Sequence, residues 1–314
     1  MDIVFMGTPD FAVPTLQMLI NEQYNIKAVV TQPDRPKGRG NKLAAPPVKQ
    51  LAQEYNIPVL QPEKIRHDEE FLQQLKEIAP DLIVVVAFGQ ILPESILEIP
   101  SLGCVNIHGS LLPKYRGSAP IQHSILNGEE ITGVTIMYLD VGMDTGDMIT
   151  KTEMVVLPGE TAGSLHDRMM HVGADTLRIA MPGILDKSYT AEKQNEEEAT
   201  YAPMLDKQMG LIEWNQSGRS IECIVRGLNP WPTAYTYHED KLLKIWEVEA
   251  VKYDDQSRMP GQVVDMIADA GVLVKTQDGA LLIKEIQAQG GKRMKMSDYM
   301  RGHEIKKDDF LGIR

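Results

Sequence analysis

The run Asp81-Leu82-Ile83-Val84-Val85-Val86-Ala87 limits the fold of this chain more than any other stretch. It is far shorter than the roughly 18 apolar residues that suggest a membrane span. Strand side chains alternate between two faces, so an unbroken apolar run predicts a strand covered on both sides. The segment before it, DEEFLQQLKEIA (68–79), places Phe71, Leu72, Leu75 and Ile78 on one helical face. A one-faced helix delivering the chain to a two-faced strand is the signature of a parallel sheet with helices packed on it.

The same rhythm starts at the N-terminus. IVFMG (3–7) leads into the helix-like FAVPTLQMLINEQ, and strand-like IKAVVT (26–31), helix-like PPVKQLAQEY (46–55) and IPVL (57–60) follow. This βαβαβ order predicts an α/β, doubly wound, mostly parallel sheet, with ligands at the carboxyl ends of strands near a switch in strand order. Around 186–206 the periodicity lapses, and DKSYTAEKQNEEEATYAPMLDK carries the acidic run Glu196-Glu197-Glu198. We read residues 1–189 as the first domain, 190–206 as a linker and 207–314 as a second domain. The latter opens on helix-like SGRSIECIVRGL (217–228), followed by short strand-like segments separated by Asp254-Asp255, Pro260-Gly261, Gly271 and Asp278-Gly279. That spacing predicts a small β-barrel.

Composition narrows the function classes. Two cysteines far apart, Cys104 and Cys223, argue for a reducing compartment and against a disulfide or zinc scaffold. MDIVFMGTPD has no basic opening and no long apolar run, so no secretory signal is expected, and a cytoplasmic enzyme without a membrane segment is the default. The formal charge of −12 disfavours a polyanion partner at first sight. The acid is unevenly placed, however. Residues 1–205 carry 16 Lys and Arg against 27 Asp and Glu, whereas 206–314 carry 16 against 17. Net charge therefore excludes no partner. No heptad or apolar stripe suggests an oligomer, and a monomer is expected.

Gly7-Thr8-Pro9-Asp10 stands where a first strand meets a first helix, yet neither G-x-G-x-x-G nor GxxxxGK[ST] is present. Dinucleotide and triphosphate chemistry are disfavoured. The connection QPDRPKGRGNKLAAPP (32–47) is long for an α/β loop and carries Arg35, Lys37, Arg39 and Lys42. It is either a solvated loop or a basic element that orders on a polyanion. In LGCVNIHGS, strand character runs from Cys104 to Ile107. Asn106 and His108, two apart, share one strand face and point into one crevice. Asn offers a donor, and His offers a donor or a proton acceptor near neutral pH. YLDVGMDTGDMI (138–149) follows another strand, and its Asp140-Val141-Gly142-Met143-Asp144 must turn tightly. A carboxylate delivered there could orient the imidazole. His166 and His171 lie off one helical face and no HExxH occurs, so no metal is expected.

NIHGSLLPKYRGSAPIQHSILNG followed by GVTIMYLDVGMDTGDMI resembles the folate-dependent formyltransferases, and the likeness extends over essentially the whole chain, through FMGTPDFAVPTL, TQPDRPKGRG, VVVAFGQILP and VRGLNPWPTA. It implies a Rossmann-like first domain and a smaller, OB-like C-terminal barrel. It also implies Asn106, His108 and Asp144 as the catalytic trio. The folate site would comprise Ser110, Leu111, Leu112 and Pro113, with Phe88, Gly89, Gln90, Ile91, Leu92, Asp140, Val141 and Gly142 on the pterin side. The basic loop and Asn229-Pro230-Trp231-Pro232 point to the branch whose acceptor is tRNA. There the formyl group of 10-formyltetrahydrofolate, the co-substrate, passes to the α-amine of methionine on initiator tRNA, and Arg35, Lys37, Arg39 and Lys42 would touch the tRNA. The alternatives are a small amine acceptor (a sugar nucleotide or glycinamide ribonucleotide), hydrolysis of formyltetrahydrofolate, or a non-enzymatic RNA-binding module.

Overall fold

The computed structural model describes residues 1–37 and 42–312. The chain divides into two compact units, Met1–Pro120 with Ile131–Val155 and His166–Ala202, and Ile121–Glu130 with Val156–Leu165 and Pro203–Arg314.

In the first unit the strands are β1 (Asp2–Gly7), β2 (Asn25–Val30), the short pair β3 (Arg35–Lys37) and β4 (Lys42–Ala44), β5 (Val59–Leu60), β6 (Leu82–Val86), β7 (Cys104–His108), β8 (Ile131–Tyr138) and β9 (Met148–Val155). The main sheet has the order β5-β2-β1-β6-β7-β8-β9. Its first five strands run parallel, and β8 and β9 are antiparallel additions. The chain begins mid-sheet, winds out through β2 to β5, then returns to lay β6 against the other side of β1. This is the doubly wound, mostly parallel sheet expected, with its switch between β1 and β6.

Local chemistry explains the elements. α1 (Val13–Asn21), α2 (Pro47–Glu54) and α3 (Glu69–Ile78) are the helices of the winding, and α4 (Glu94–Leu97), α5 (Pro120–Leu126) and α6 (Ala162–Leu185) follow along the chain. Asp68 caps α3 by accepting the Phe71 N–H at 2.9 Å, and Glu69 and Glu70 favour the positive end of its dipole. Phe71 and Leu75 bury in one cluster with Val4, Ile83 and Val85, each worth roughly 1.5–3 kcal/mol of apolar burial. β6 is buried along its whole length, as its composition requires. Gly7 has a packing role: a Cβ there would lie 2.8 Å from both Ala12 Cβ and Phe5 Cε1. Burial pushes the Cys104 thiol up to about 12, so it is an inert core residue.

The stretch read as a linker is mostly built into this unit. Met148 N–H and O pair with Glu192 O and N–H at 2.8 Å. Arg116 N–H donates to Thr200 O at 2.8 Å, and Ala202 N–H returns to Arg116 O at 2.7 Å. Backbone pairing requires no apolar period, so it leaves no pattern in the sequence.

The second unit gathers α7 (Gly218–Gly227), β10 (Ala234–His238), β11 (Lys241–Val251), β12 (Val263–Ile267), β13 (Gly271–Lys275), β14 (Ala280–Ala288), β15 (Arg293–Lys295) and α8 (Met296–Met300). The antiparallel order is β10-β11-β14-β13-β12, with β15 on β14. The C-terminal residues join the two edges. Phe310 bridges Gln262 and Leu311 bridges His238, closing the sheet into a barrel. Ile221 and Val225 of α7 pack in its core with Trp214, Leu243, Ile245 and Ile283. Two pieces expected in the first domain belong here. Val156 N–H donates to Glu130 O at 2.9 Å, and the buried Arg226 Nη1 donates to Glu160 O at 3.0 Å. Among the described residues no helix is long and apolar enough to cross a membrane.

Candidate active site

The switch between β1 and β6 is stitched by polar contacts. Thr8 Oγ1 donates to Phe88 O at 3.1 Å, and Gln32 N–H donates to Thr8 Oγ1 at 3.2 Å. Beside it, β7 carries Asn106 in register with Val85 of β6 and Met137 of β8. His108 follows on the same face, opposite Thr135. Asn106 is only 9 % exposed, and His108 is buried. No side-chain hydrogen bond to the Asn106 amide occurs among the described residues. Asn106 is not among the buried unpartnered groups there, which are Arg226 Nε and Trp246 Nε1, so its amide is left at the surface of the crevice, engaged by no side chain of the fold.

Asp144 arrives by an indirect route. β8 runs antiparallel to β7, so its last residue, Tyr138, lies opposite Val105, at the far end of β7 from His108. The turn after Tyr138 must fold back. It does so with Asp144 at φ +55°, a left-handed conformation that Asp and Asn tolerate. Asp144 Oδ2 then accepts the Gly117 N–H at 2.8 Å and stands 3.7 Å from His108 Nδ1. The other ring nitrogen, Nε2, lies 2.9 Å from Tyr115 O. A carbonyl can only accept, so Nε2 carries a proton. Nδ1 is therefore the atom free to gain or lose one, and it faces the carboxylate.

The loop between these groups is held from β8. Thr135 Oγ1 donates to Ser110 O at 2.7 Å and accepts the Leu112 N–H at 3.1 Å, while Ser110 Oγ donates to Lys114 O at 2.6 Å. Gly133 permits this approach: a Cβ there would meet Thr152 O at 2.2 Å and Leu111 Cδ2 at 2.6 Å. Gly133→Ala is expected to destabilise the chain by about 1–3 kcal/mol, read as a lowered Tm in thermal denaturation.

The residues expected to hold folate divide by what they expose. Phe88 and Leu92 lie in the core cluster beneath the sheet, and Leu112 packs with Met137 and Met148, so these three offer a ligand backbone only. Gln90 is engaged, accepting the Ile65 N–H at 2.9 Å. Asp140 Oδ1 accepts from Gly142 N–H and Thr145 Oγ1 and so builds its own turn. Gly89, at φ +88°, turns the chain after β6. Ile91, Val141 and Met143 are 65 %, 69 % and 53 % exposed. Large apolar side chains left in water at these two turns suit a flat aromatic ligand.

The basic residues are only partly placed. Asp34, at the foot of the β3–β4 ribbon, accepts Lys49 Nζ at 2.8 Å and Gln61 Nε2 at 2.9 Å. Lys49 first, then Gln61, hold its carboxyl below the usual range. Arg35 is exposed. Lys37 and Lys42 are ribbon residues, and Arg39 lies outside the described residues. In the barrel, Arg293 is already engaged, donating to Glu285 at 2.6 Å and lying 4.9 Å over the Trp246 ring. No group of metal-ligating side chains occurs among the described residues.

Lys114, Tyr115 and Arg116 carry no motif that assigns them a role. Arg116 is 0 % exposed and its guanidinium grips Glu196 at 2.8 and 2.9 Å. Hydrogen bonding to Arg116 holds the Glu196 carboxyl below its ordinary range. That contribution is complete above the unfolded-state value and is lost only as pH falls through the lower folded one. No local pattern joins residues 80 apart.

Residues 1–181 match the formyl transferase family, and residues 204–304 match the formyl transferase C-terminal domain. The chain belongs to the formyl transferase family. Among curated formyl transferases, the methionyl-tRNA formyltransferase of Clostridioides difficile (strain 630) is 53 % identical over 312 residues, covering 99 % of this chain and 100 % of the relative. That of Ruminiclostridium cellulolyticum is 49 % identical over 313 residues, with the same coverage. A sugar 3N-formyl transferase crystallised in the presence of dTDP and 5-N-formyl-THF shares the fold. It superposes with a TM-score of 0.67 at 21 % identity, over 92 % of this chain and 97 % of that one.

Proposed function

We propose that this chain transfers the formyl group of 10-formyltetrahydrofolate to the α-amine of methionyl initiator tRNA. The full-length relatives named methionyl-tRNA formyltransferase support the reaction. The site observation that carries it is the Asn106 amide, unpaired by any side chain among the described residues, on the same strand face as His108, with Asp144 at 3.7 Å from the ring. A fold relative crystallised with 5-N-formyl-THF supports the folate donor. The exposed Ile91, Val141 and Met143 would cover its pterin ring, and the backbone of residues 88–92, 110–113 and 140–142 would supply its polar contacts.

The chemistry follows from the atom types. The amine nitrogen attacks the formyl carbon, and the carbonyl π pair moves onto oxygen as an oxyanion. Asn106 donates to that oxygen from a fixed strand end, a preorganised donor aimed where the charge develops. His108 in its doubly protonated form donates from Nδ1, with Asp144 balancing the charge. The tetrahedral centre collapses by breaking its bond to folate N10. Asp144 and His108 relay the proton lost by the amine toward that leaving nitrogen. The products are the N-formylated methionyl ester and tetrahydrofolate.

Arg35, Lys37, Arg39 and Lys42 are proposed to meet tRNA phosphates, and the barrel of residues 207–314 to make tRNA contacts of its own. We place the reaction in the cytoplasm and the enzyme as a monomer. The deciding experiment offers 10-formyltetrahydrofolate with methionyl initiator tRNA, with sugar-nucleotide amines, with glycinamide ribonucleotide, or with water alone. Formyl-methionyl-tRNA is the expected product. Formate release that does not depend on an acceptor, or faster formylation of a small amine, would overturn the reading.

A further inference from the structure

We infer that Arg116 and Gln194 are positioning residues for Asp144, forming a bracket that sets the carboxylate against His108. The inference rests on the role given to Asp144 above.

Gln194 Nε2 donates to two main-chain carbonyls at once, Asp144 O and Gly146 O, each at 2.8 Å. Those carbonyls flank the turn that holds Asp144 in its left-handed conformation. A primary amide can span two acceptors only if its own oxygen faces away from them. Here that orientation is set by Arg116, whose Nε donates to Gln194 Oε1 at 2.9 Å. A guanidinium has donors and no acceptor, so it selects one of the two amide orientations. Arg116 is itself locked, since its two Nη groups fork onto Glu196 and its side chain is fully buried.

The main chain around Arg116 reaches the same two groups. Tyr115 O accepts from His108 Nε2, and Gly117 N–H donates to Asp144 Oδ2. Thr200 ties this tripeptide down, its Oγ1 accepting the Tyr115 N–H at 2.9 Å. One short segment thus touches the imidazole before Arg116 and the carboxylate after it, while the Arg116 side chain controls the backbone of the turn. An ion pair that only stabilised the fold would need none of the contacts to residues 144 and 146.

The test compares Gln194→Met, which keeps length and loses every hydrogen bond, with Gln194→Glu, which turns a carboxylate oxygen toward two carbonyls. Arg116→Lys keeps the charge and removes the fork. In steady-state formyl transfer, Gln194→Met and Arg116→Lys should lower kcat by about 10–100-fold, since small misplacements of catalytic groups have costs of that size. KM for both substrates should stay within about twofold. Gln194→Glu should be the most impaired. In an Asp144→Asn background, Gln194→Met should lower kcat by less than about threefold more, because the two changes remove one function. The full effect in that background, or unchanged kcat in the Gln194→Met single variant, would overturn the inference.

A second readout does not depend on the acceptor. The ring ¹⁵N signals of His108 in the full-length protein at fixed pH should move in the same direction in Asp144→Asn and in Gln194→Met. Unmoved signals in Gln194→Met would also overturn it. If wild-type enzyme failed to formylate methionyl-tRNA, the proposed reaction would fall, and the His108 signals would still decide the bracket.

Discussion

Asn106→Ala is expected to lower kcat for formyl transfer by about 10²–10³, the usual cost of losing one oxyanion donor. Among the described residues no side chain pairs with the Asn106 amide, so the change removes a transition-state contact without leaving a partner stranded. Folate affinity should persist, because the proposed pterin contacts are assigned to other residues. Asp144→Asn is the matching variant at the carboxylate and is cleaner than Ala, since Asn keeps the φ of +55° that Asp144 adopts. Its amide can still accept from Gly117 but cannot balance an imidazolium, and a loss of about 10²–10⁴ is expected. Rapid-quench measurement of a single turnover, beside equilibrium binding of a formyltetrahydrofolate analogue, separates the chemical step from binding. Near-normal turnover in either variant would sink the role assigned to it.

Neutralising the basic ribbon should produce the other large effect. Replacing Arg35, Lys37, Arg39 and Lys42 by Gln removes four cations from a chain of formal charge −12. With so acidic a protein, tRNA affinity should depend steeply on salt. Each phosphate contact adds about 0.7–0.9 to the slope of log K against log salt. The fourfold variant should therefore flatten that slope by about 3 and weaken binding by about 10²–10³ at low ionic strength. Filter binding across a salt series reads both quantities. An unchanged slope would remove the ribbon from the tRNA surface.

The two sites of prediction differ in how visible they were. Asn106 and His108 could be paired from the sequence because a strand has period two, and β7 is a strand through both. Asp144 could be named as a turn carboxylate. Its path to His108 could not, because the antiparallel addition of β8 puts the start of that turn at the far end of β7. Gln194 falls in the predicted linker, yet its amide bridges Asp144 and Gly146 from 50 and 48 residues away.

By itself the sequence determined what periodicity encodes: the buried strand at 82–86, the one-faced helix before it, the doubly wound winding and a second domain of short strands. These are local consequences of which faces must leave water. Tertiary structure alone decided that β8 and β9 run antiparallel and that residues 310–311 close the barrel. It also brought Arg116, Gln194 and Glu196 together behind Asp144. Those contacts join polar groups far apart in the chain. Hydrogen bonds between such groups leave no repeat in the sequence, because their partners are chosen by how distant segments pack.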